Sequence, residues 1–438
     1  MSILIKTLVI IDPKSDAAKL RNFATSISDD LVQKTKSIMD DVEKYGDSAL
    51  LAYTEKFDGI RLDSLKVTDN EIKEAYNRVT KEQIQSIKMM KERLITAEKV
   101  LLKNLRGLTI SSAGVRIKRV VQPIASIGCY IPGGKARYPS TMVMCAIPAK
   151  VAGVRRIVAI SPPLKDGTVD PLTLVAADIC GVNEFYKVGG AHGIGALTFG
   201  TSAITKVNKI VGPGGIFVTI AKILASSRVS IDMIAGPTEL LVYADSKADP
   251  KLVALDLISQ AEHSYDTLCG LVTTSQELAL QVAHEIQAIL EKNTIKRSDI
   301  IKRSLEENGF IAICKDEPSS TEFINEVAPE HLEIIANNAR RISKKITSAG
   351  LVLIGKYTPS SASDYCLGSN HVLPTLGFGK SRASLSALDF VRIVNVVQVT
   401  KSGLEKVGSA VKQISTAEGL TNHYEAVKER FKNDKLGV

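Results

Sequence analysis

Short apolar runs alternate with helical stretches between residues 114 and 226, and this alternation restricts the chain to few folds. The predicted strands cover residues 115–121, 124–130, 156–160, 185–188 and 209–211. Helices are predicted over residues 171–180 and in the stretches that begin after Gly195 and after Gly214. Because strands that alternate with helices form parallel sheets with right-handed crossovers, we predict an open α/β fold.

Two of these strands end in glycine-rich loops. Gly189 and Gly190 follow one strand, and residues 212–215, Gly-Pro-Gly-Gly, follow another. Glycine at the carboxyl ends of parallel strands lets a phosphate-containing ligand approach the backbone and the helix N-termini. Neither loop matches the G-x-G-x-x-G pattern, so tight turns between strand and helix explain the loops equally well.

A second alternation of strands and helices occupies the C-terminal half. Its predicted strands cover residues 240–244, 271–274, 310–314 and 351–354. Before the first alternation, residues 29–57 have a helical pattern, and capping boxes at residues 68–71 and 80–83 begin two further helices. Residues 1–24 are expected to form a strand and an arm.

Composition argues against several classes of protein. The 438 residues carry a net charge of +9, but the basic residues are scattered, aromatic residues make up 5% and Trp is absent, so we expect no nucleic-acid partner. Six cysteines without a C-x-x-C pair favour free core thiols in a cytoplasmic protein. No apolar run is long enough to span a membrane, and the first residues lack the pattern of a signal peptide.

A polar cluster ends the helix that is predicted after Asp249. Asp249 suits an N-cap and Pro250 a first helical position, and the apolar residues that follow predict a buried helix. Gln260 and His263 are three residues apart, so both would project from one face of this helix. Such a pair could be half of a metal site, although a hydrogen-bonded core histidine is the more common outcome.

Two other histidines allow more than one interpretation. Glu330 and His331 follow Pro329, and a Glu beside a His could form a general acid–base pair or simply lie in a surface loop. His423 lies near the C-terminus, where a surface position is the ordinary expectation.

Six runs of sequence, taken together and in this order, resemble the histidinol dehydrogenase family, whose enzymes catalyse the last two oxidations of histidine biosynthesis. The runs are IASIGCYIPGG (124–134), DMIAGPTE (232–239), SQAEH (259–263), APEH (328–331), NHVLPT (370–375) and AEGLTNH (417–423). Each run alone is weak, but the ordered set spans nearly the whole chain and is highly specific.

The resemblance implies a zinc site and a substrate site shared by two subunits of a homodimer. The implied zinc ligands are Gln260, His263, Asp364 and His423. The implied contacts to the substrate, L-histidinol, are Thr238, Gln260, His263, His331, Asp364, Glu418 and His423. Of these residues, His423 and Glu418 are expected from the partner subunit.

The resemblance also implies a four-electron oxidation that uses two NAD. His331 is expected to take the hydroxyl proton of the alcohol, and Glu330 to activate water for attack on the aldehyde. Tyr130 is expected to contact NAD. The chain departs from the family at two other expected NAD contacts, because His192 stands where Gln is usual and Gly215 where Asn is usual.

For the whole chain we predict two Rossmann-like open α/β domains, one of them discontinuous, with extended N- and C-terminal arms. The predicted boundaries are residues 1–24 for the N-terminal arm, 25–125 with 240–376 for the discontinuous domain with the metal and substrate site, 126–239 for the inserted domain with the NAD site, and 377–438 for the C-terminal dimerisation arm.

Three alternatives to a histidinol dehydrogenase remain at this point. A relative could run the same chemistry on another amino or hydroxy alcohol. A non-catalytic binding protein could keep the fold and the metal but not the cofactor, which His192 and Gly215 would allow. A basic nucleic-acid-binding protein is the third and weakest alternative.

Overall fold

The computed structural model describes residues 5–22, 27–105, 107–133, 137–182, 184–292 and 295–432. Gly134 of the family-like run and the outermost residues of both predicted arms lie outside these ranges. The predicted α/β class with two open parallel sheets is confirmed.

Strands and helices alternate along most of the chain. The strands are β1 (Lys6–Val9), β2 (Thr109–Ser112), β3 (Val115–Pro123), β4 (Ser126–Tyr130), β5 (Arg156–Ser161), β6 (Glu184–Lys187), β7 (Lys209–Val211), β8 (Ser230–Ile231), β9 (Glu239–Ala244), β10 (Leu268–Thr273), β11 (Gly309–Ile313), β12 (His331–Ile335), β13 (Leu351–Ile354) and β14 (Val391–Val399). The first helices are α1 (Pro13–Asn22), α2 (Asp29–Tyr45), α3 (Asp47–Asp58), α4 (Asp69–Asn77), α5 (Lys81–Asn104), α6 (Pro139–Ala152), α7 (Pro171–Cys180), α8 (Gly190–Phe199) and α9 (Ile216–Ala225). The later helices are α10 (Pro250–Ala261), α11 (Gln276–Leu290), α12 (Ser298–Asn308), α13 (Glu317–Val327), α14 (Ala339–Ser343), α15 (Ser360–Ser363), α16 (Lys401–Ala417) and α17 (Thr421–Lys432), with short 3-10 helices at Phe378–Lys380 and Ala387–Phe390.

The two parallel sheets share one strand order. The five-stranded sheet runs β6-β5-β4-β7-β8 and the six-stranded sheet runs β1-β11-β10-β9-β12-β13. In the first sheet β4 is central, with β5 and β6 on one side and β7 and β8 on the other. In the second sheet β9 has β10 and β11 on one side and β12 and β13 on the other, and β1 adds an edge strand beside β11. This is the Rossmann-like order, and the direction of winding reverses between β4 and β7 and again between β9 and β12.

The helices of residues 29–104 pack against the five-stranded sheet and its own helices. Helix α2 contacts α8 and α9, α4 contacts α7, and α5 contacts α6. Leu94 and Val42 are fully buried in the two cores on this sheet. The division that groups residues 25–125 with 240–376 stays a prediction. In the structure, the apolar faces of α2 to α5 pack on the five-stranded sheet and its helices. Strand β1, from the predicted arm, pairs with β11 in the six-stranded sheet.

A separate antiparallel sheet joins the C-terminal arm to the middle of the chain. Strand β14 pairs with β3 along its full length, and β2 pairs with the other side of β3. Large apolar side chains are exposed here, including Ile110, Ile393, Val396 and Val397, each at least half exposed. A solvent-exposed apolar surface on a sheet is typical of a protein–protein contact.

Several predicted elements differ in extent from the structure. The single helix predicted over residues 29–57 is two helices, because Gly46 adopts φ 57° and breaks it. The helix predicted after Gly195 begins at Gly190, so His192 lies in its first turn and not in a loop. Gly195 allows this buried helix to pack on α2, since a Cβ there would lie 3.3 Å from Val42.

The helix that carries Gln260 also differs from the prediction. The Asp249 cap is confirmed, since its side chain accepts a hydrogen bond from the Lys251 N–H. The helix ends at Ala261, so His263 lies beyond it and not on its face. The predicted burial on all sides is wrong, because Leu252 and Leu255 are exposed and only the opposite face packs on the sheet.

The predictions about capping boxes and free cysteines agree with the structure. The capping boxes at Thr68 and Thr80 begin α4 and α5. Every cysteine is free, and all but Cys366 are buried. Among the described residues, no helix combines the length and the apolar character that crossing a bilayer requires.

Candidate active site

The candidate site lies where the carboxyl edge of the five-stranded sheet meets the amino edge of the six-stranded sheet. Tyr130 ends β4 and Gly212 follows β7 at the first edge, whereas Glu239 begins β9 and His331 begins β12 at the second. A cavity of about 50 Å³ has walls from both edges: Gly212, Pro213, Asp232, Met233, Ala235, Gly236, Thr238, Glu330, His371, Val372, Leu373 and Thr375. A ligand held by the first sheet can therefore reach side chains of the second.

Glu330 is buried and held by the neighbouring strand. Its Oε2 accepts a hydrogen bond from the Glu239 N–H at 2.8 Å, and its own N–H donates to Glu239 Oε2 at 3.2 Å. Glu239 Oε1 in turn accepts from the Leu376 N–H at 2.8 Å. Because backbone donors on fixed strands orient both carboxylates, Glu330 is presented to the cavity in one orientation. The interpretation of residues 327–334 as a surface loop is wrong, since β12 is a buried strand.

His331 lies between two carboxylates and is only 3% exposed. Its Nδ1 is 3.3 Å from Glu239 O and 3.7 Å from Glu330 Oε2, and its Nε2 is 3.3 Å from Asp364 Oδ1. Burial lowers the pKa of His331, but Glu330 and Asp364 outweigh burial and raise this pKa well above its ordinary value. The approach to Asp364 is not aligned as a hydrogen bond, so Nε2 has no hydrogen-bond partner among the described residues.

Gln260 is a buried amide with an incomplete set of partners. The Ser360 hydroxyl donates to Gln260 Oε1 at 3.4 Å, whereas Nε2 has no hydrogen-bond partner in the described part of the chain. A half-turn of the amide would let the NH2 group donate to the Ser360 hydroxyl and would turn the oxygen into the unfilled position. An oxygen in that position is a suitable metal ligand, and Asp364 Oδ1 likewise has no hydrogen-bond partner.

His371 holds the turn that carries Asp364. Its Nδ1–H donates to Asp364 O at 2.7 Å, and its Nε2 lies 3.3 Å from the Thr141 hydroxyl. Burial lowers the pKa of His371 below its ordinary value despite the nearby carboxylate. Burial also raises the pKa of Asp364, but His331, His371 and His263 together bring it below its ordinary value.

The other two predicted zinc ligands are on the surface of this chain. His263 is exposed just after α10, close enough to Asp364 to affect its pKa. His423 is exposed on α17, and Glu418 is exposed at the end of α16. No group of three or more His, Cys, Asp or Glu side chains within the described ranges is arranged to hold a metal ion in a single chain.

The loops at the carboxyl edge of the five-stranded sheet are suited to a nucleotide. The N-cap residues of α8 and α9 are Gly189 and Gly215, which offer no side-chain cap. N–H groups of the two first turns, other than that of Gly190, can therefore bind a phosphate. Gly212 has φ 114°, and a Cβ there would lie 2.2 Å from Tyr130 O, so only glycine fits. The Tyr130 hydroxyl accepts from the Gly190 N–H at 3.3 Å. Burial raises the pKa of Tyr130 to about 12.

His192, at a position where the resemblance implies a cofactor contact, is 1% exposed. Its ring lies 5.9 Å from the ring of Tyr53 and 6.0 Å from that of Phe57, and its Nε2 is 3.5 Å from the Thr54 hydroxyl. Burial lowers the pKa of His192 to about 4, so the ring is neutral near pH 7. Its Nδ1 has no hydrogen-bond partner among the described residues.

Comparison with known proteins assigns the family. A family model described as histidinol dehydrogenase matches residues 22–431, which is most of the chain. The chain is a member of the histidinol dehydrogenase family. This membership confirms the resemblance that the six runs indicated and makes the chain an oxidoreductase.

Individual relatives of the histidinol dehydrogenase family cover nearly the whole chain. The histidinol dehydrogenase of Methanocaldococcus jannaschii is 41% identical over 419 residues, which are 96% of this chain and 97% of that protein. That of Clostridium acetobutylicum is 44% identical over 405 residues, or 92% of this chain and 93% of that protein. The crystal structure of histidinol dehydrogenase from Elizabethkingia anophelis matches with a TM-score of 0.93 at 35% identity and covers 99% of both chains.

The structure brings some of the predicted site residues together and leaves others apart. His331 lies against both Glu330 and Asp364, and Thr238 lines the cavity together with Glu330. Gln260 contacts Ser360, four residues before Asp364. Within one chain, the two arm residues Glu418 and His423 are exposed on the surface. The sequence analysis assigned no role to Glu239 or His371, although both lie in runs that carried the resemblance. It also assigned none to Ser360, Asp256 or Glu333, because only the packing of the folded chain indicates a role for them.

Proposed function

We propose that this chain oxidises L-histidinol to L-histidine through histidinal, with two NAD and a zinc ion, as the last step of histidine biosynthesis. The observation that carries the proposal is the buried imidazole of His331, which lies between Asp364 and Glu330. Glu330 in turn lines a cavity that reaches the Gly212 loop. A base, a second carboxylate and a nucleotide loop at one cavity suit an oxidation that takes place in two steps.

The residues at the metal position fit zinc. Gln260 and Asp364 have buried polar atoms without hydrogen-bond partners, and an amide oxygen, a carboxylate and imidazoles are acceptable zinc donors. We propose that Gln260, His263 and Asp364 hold the ion together with His423 of the partner subunit. When bound, zinc would anchor the substrate by its imidazole and amino nitrogens and stabilise negative charge on its oxygen.

The loops of the five-stranded sheet fit NAD. The N-termini of α8 and α9 have no side-chain cap, which leaves backbone N–H groups available for the diphosphate, and the Gly212 turn keeps the loop free of a side chain. We propose that Tyr130 borders this site. When bound, NAD would accept a hydride in each of the two oxidations.

The two catalytic side chains would handle protons. His331 would take the hydroxyl proton of the alcohol at Nε2, the ring atom that has no hydrogen-bond partner among the described residues. A carboxylate that is bound to a cation raises the pKa of a neighbouring imidazole less, so a cation on Asp364 would shift His331 toward its neutral, basic form. Glu330 would then take a proton from the water that attacks the aldehyde, and its fixed orientation would lower the cost of that step.

We propose that the active protein is a homodimer whose arms complete each other's sites. The apolar side chains exposed on β14 and on α16, such as Val396, Val397 and Ile414, favour a partner over solvent. A two-fold arrangement would place the Glu418 and His423 of each subunit at the other's cavity.

The direct test is an assay of the purified full-length protein with zinc, NAD and L-histidinol. We expect two NADH for each histidine formed, and we expect His331→Asn to abolish the first oxidation in folded protein. Absence of NADH formation with L-histidinol, despite bound zinc and NAD, would reject the proposal in favour of a non-catalytic relative. Turnover of a different amino alcohol in preference to L-histidinol would reject the substrate assignment.

A further inference from the structure

Two carboxyl groups, one buried and one partly buried, lie close to the candidate metal site and have no part in the proposed chemistry. Asp256 is on α10 and Glu333 is on β12, where it is 2% exposed. The two side chains lie close enough for one carboxyl group, when protonated, to donate a hydrogen bond to the other. Glu333 Oε1 also accepts a hydrogen bond from the Ser360 N–H at 2.6 Å.

Two carboxylates in contact in a buried site cannot both be ionised without a large electrostatic cost. Burial, followed by the charge of Asp256, raises the pKa of Glu333 to about 8. Burial also raises the pKa of Asp256. At neutral pH the pair therefore retains one proton, which makes the hydrogen bond between the two side chains possible.

Each member of this contact is close in sequence to a residue of the site. Asp256 lies one helical turn before Gln260 on α10, so the two share a face of that helix. Glu333 lies two residues after His331 on β12, on the same face of the strand. Ser360 begins α15, the single turn that leads to Asp364.

We propose that Asp256 and Glu333 are a proton-sharing pair that joins α10, β12 and α15 and thereby positions Gln260, His331 and Asp364 for the metal. The inference rests on the proposed zinc site. Neither side chain touches the substrate in this proposal, so both are positioning residues. Ser360 completes the connection, because its N–H donates to Glu333 while its hydroxyl contacts the Gln260 side-chain amide and can bind either end of it.

The test compares three replacements in the full-length protein. Glu333→Gln keeps an oxygen for the Ser360 N–H and supplies an N–H for Asp256, so it reproduces the protonated form of Glu333. We expect its zinc affinity to stay within about threefold of wild type. Glu333→Leu and Asp256→Ala remove the contact, and we expect zinc affinity to fall about 10- to 100-fold, as for other groups that orient metal ligands.

The readouts do not depend on turnover. Zinc affinity is measured by competition with a chelator, and the visible spectrum of the Co²⁺-substituted protein reports the geometry of the ligands. Infrared spectroscopy of the metal-free protein at pH 7 should show the C=O band of a protonated carboxyl group that is absent from Glu333→Gln. Because this band needs no metal, its presence tests the shared proton even if the wild-type protein binds no zinc.

Glu98→Leu is the matched control for general loss of stability. Glu98 is also a buried carboxyl group, its Oε2 accepts from the Ala387 N–H at 2.6 Å, and burial raises its pKa. We expect this variant to lose stability but to keep wild-type zinc affinity and the wild-type Co²⁺ spectrum. If either Glu333→Leu or Asp256→Ala fails to fold, the zinc affinity and Co²⁺ spectrum of the other variant test the proposal.

Three outcomes would overturn the inference. The first is wild-type zinc affinity in both Glu333→Leu and Asp256→Ala. The second is a Glu333→Gln variant that loses as much affinity as Glu333→Leu, which would exclude a shared proton. The third is the lack of zinc binding by the wild-type protein; if the infrared band is nevertheless present, the pair shares a proton and the proposed zinc site is what has failed.

Discussion

Glu239 and Glu330 each accept a hydrogen bond from the backbone N–H of the other, at 2.8 Å and 3.2 Å, where β9 and β12 begin. The exchange takes place at the strand pair where the winding of the six-stranded sheet reverses. Sheet register thus determines the orientation of the Glu330 carboxylate, since Leu240 pairs with His331 in the same ladder. The candidate base and its neighbour are therefore fixed by backbone bonds before any ligand arrives.

Glu330→Gln should separate the two oxidations. The amide oxygen can still accept from the Glu239 N–H, so the fold should persist, but the side chain can no longer take a proton from water. We expect oxidation of histidinal to fall by about 10²–10⁴-fold while oxidation of L-histidinol continues. Single-turnover measurements of NADH with each substrate test this expectation. Equal losses in both steps would show that Glu330 has no special role in the second.

Mixed dimers should regain activity if the arms cross between subunits. A His423→Ala chain combined with a His331→Asn chain forms heterodimers in which one of the two sites has both histidines intact. Random mixing of two inactive parents should then give about a quarter of wild-type activity, from the geometry of a two-fold dimer. The measurement is NADH formation after joint refolding, with each parent refolded alone as the control. Activity no higher than that of the parents would place His423 outside the shared site.

His192→Gln should make folding stability less sensitive to acid. The folded pKa of about 4 lies below the ordinary value of 6.5, so between these values the unfolded chain binds the additional proton and stability falls as pH falls. At about 1.4 kcal/mol per unit of pKa, the loss approaches roughly 3 kcal/mol at pH 4. Urea unfolding between pH 7 and pH 4.5 should show a shallower decline for the variant. His284→Gln, at an exposed position on α11, is the control and should follow wild type.

Gly215→Asn should strengthen NAD binding. Gly215 is the N-cap of α9 with φ −68°, and a Cβ there would have no atom within 4 Å, so the side chain fits without strain. Asn is the residue that the family usually carries at this position, and one added hydrogen bond of about 0.5–1.5 kcal/mol would tighten binding roughly two- to tenfold. Calorimetric titration with NAD measures the change. Gly215→Ala, which adds a Cβ without an amide, should bind NAD no more tightly than wild type.

Lys222→Met should destabilise the five-stranded sheet strongly. Lys222 and Asp232 form an ion pair whose side chains are 3% and 0% exposed, and the two residues also bind Gly212 through its O and N–H. Removal of one partner leaves a buried carboxylate without its cation, which costs about 3–5 kcal/mol. Arg228→Met is the control, because its pair with Glu43 is largely exposed and should contribute less than about 1 kcal/mol. Similar unfolding free energies for the two variants, measured in urea, would contradict the expectation.

The sequence by itself determined the class of fold and the start of many elements. Alternating apolar runs and helical stretches predicted parallel sheets, and local signals at Thr68, Thr80 and Asp249 marked helix starts that the structure contains. These signals act over three or four residues, so they can be read without the tertiary structure. The ordered family runs likewise assigned the family, since they depend on residue identity alone.

Only the tertiary structure decided which side chains meet. Gln260 and Asp364 are separated along the chain by four strands and several helices, and their elements meet because α10 packs against α15. The same packing buries His331, where a surface loop was an open alternative, and places Asp256 against Glu333, which no local pattern predicts. The ionisation of these groups depends on how far the folded chain buries them, and the distances between them depend on contacts between residues far apart in the sequence. Neither can be read from a local pattern.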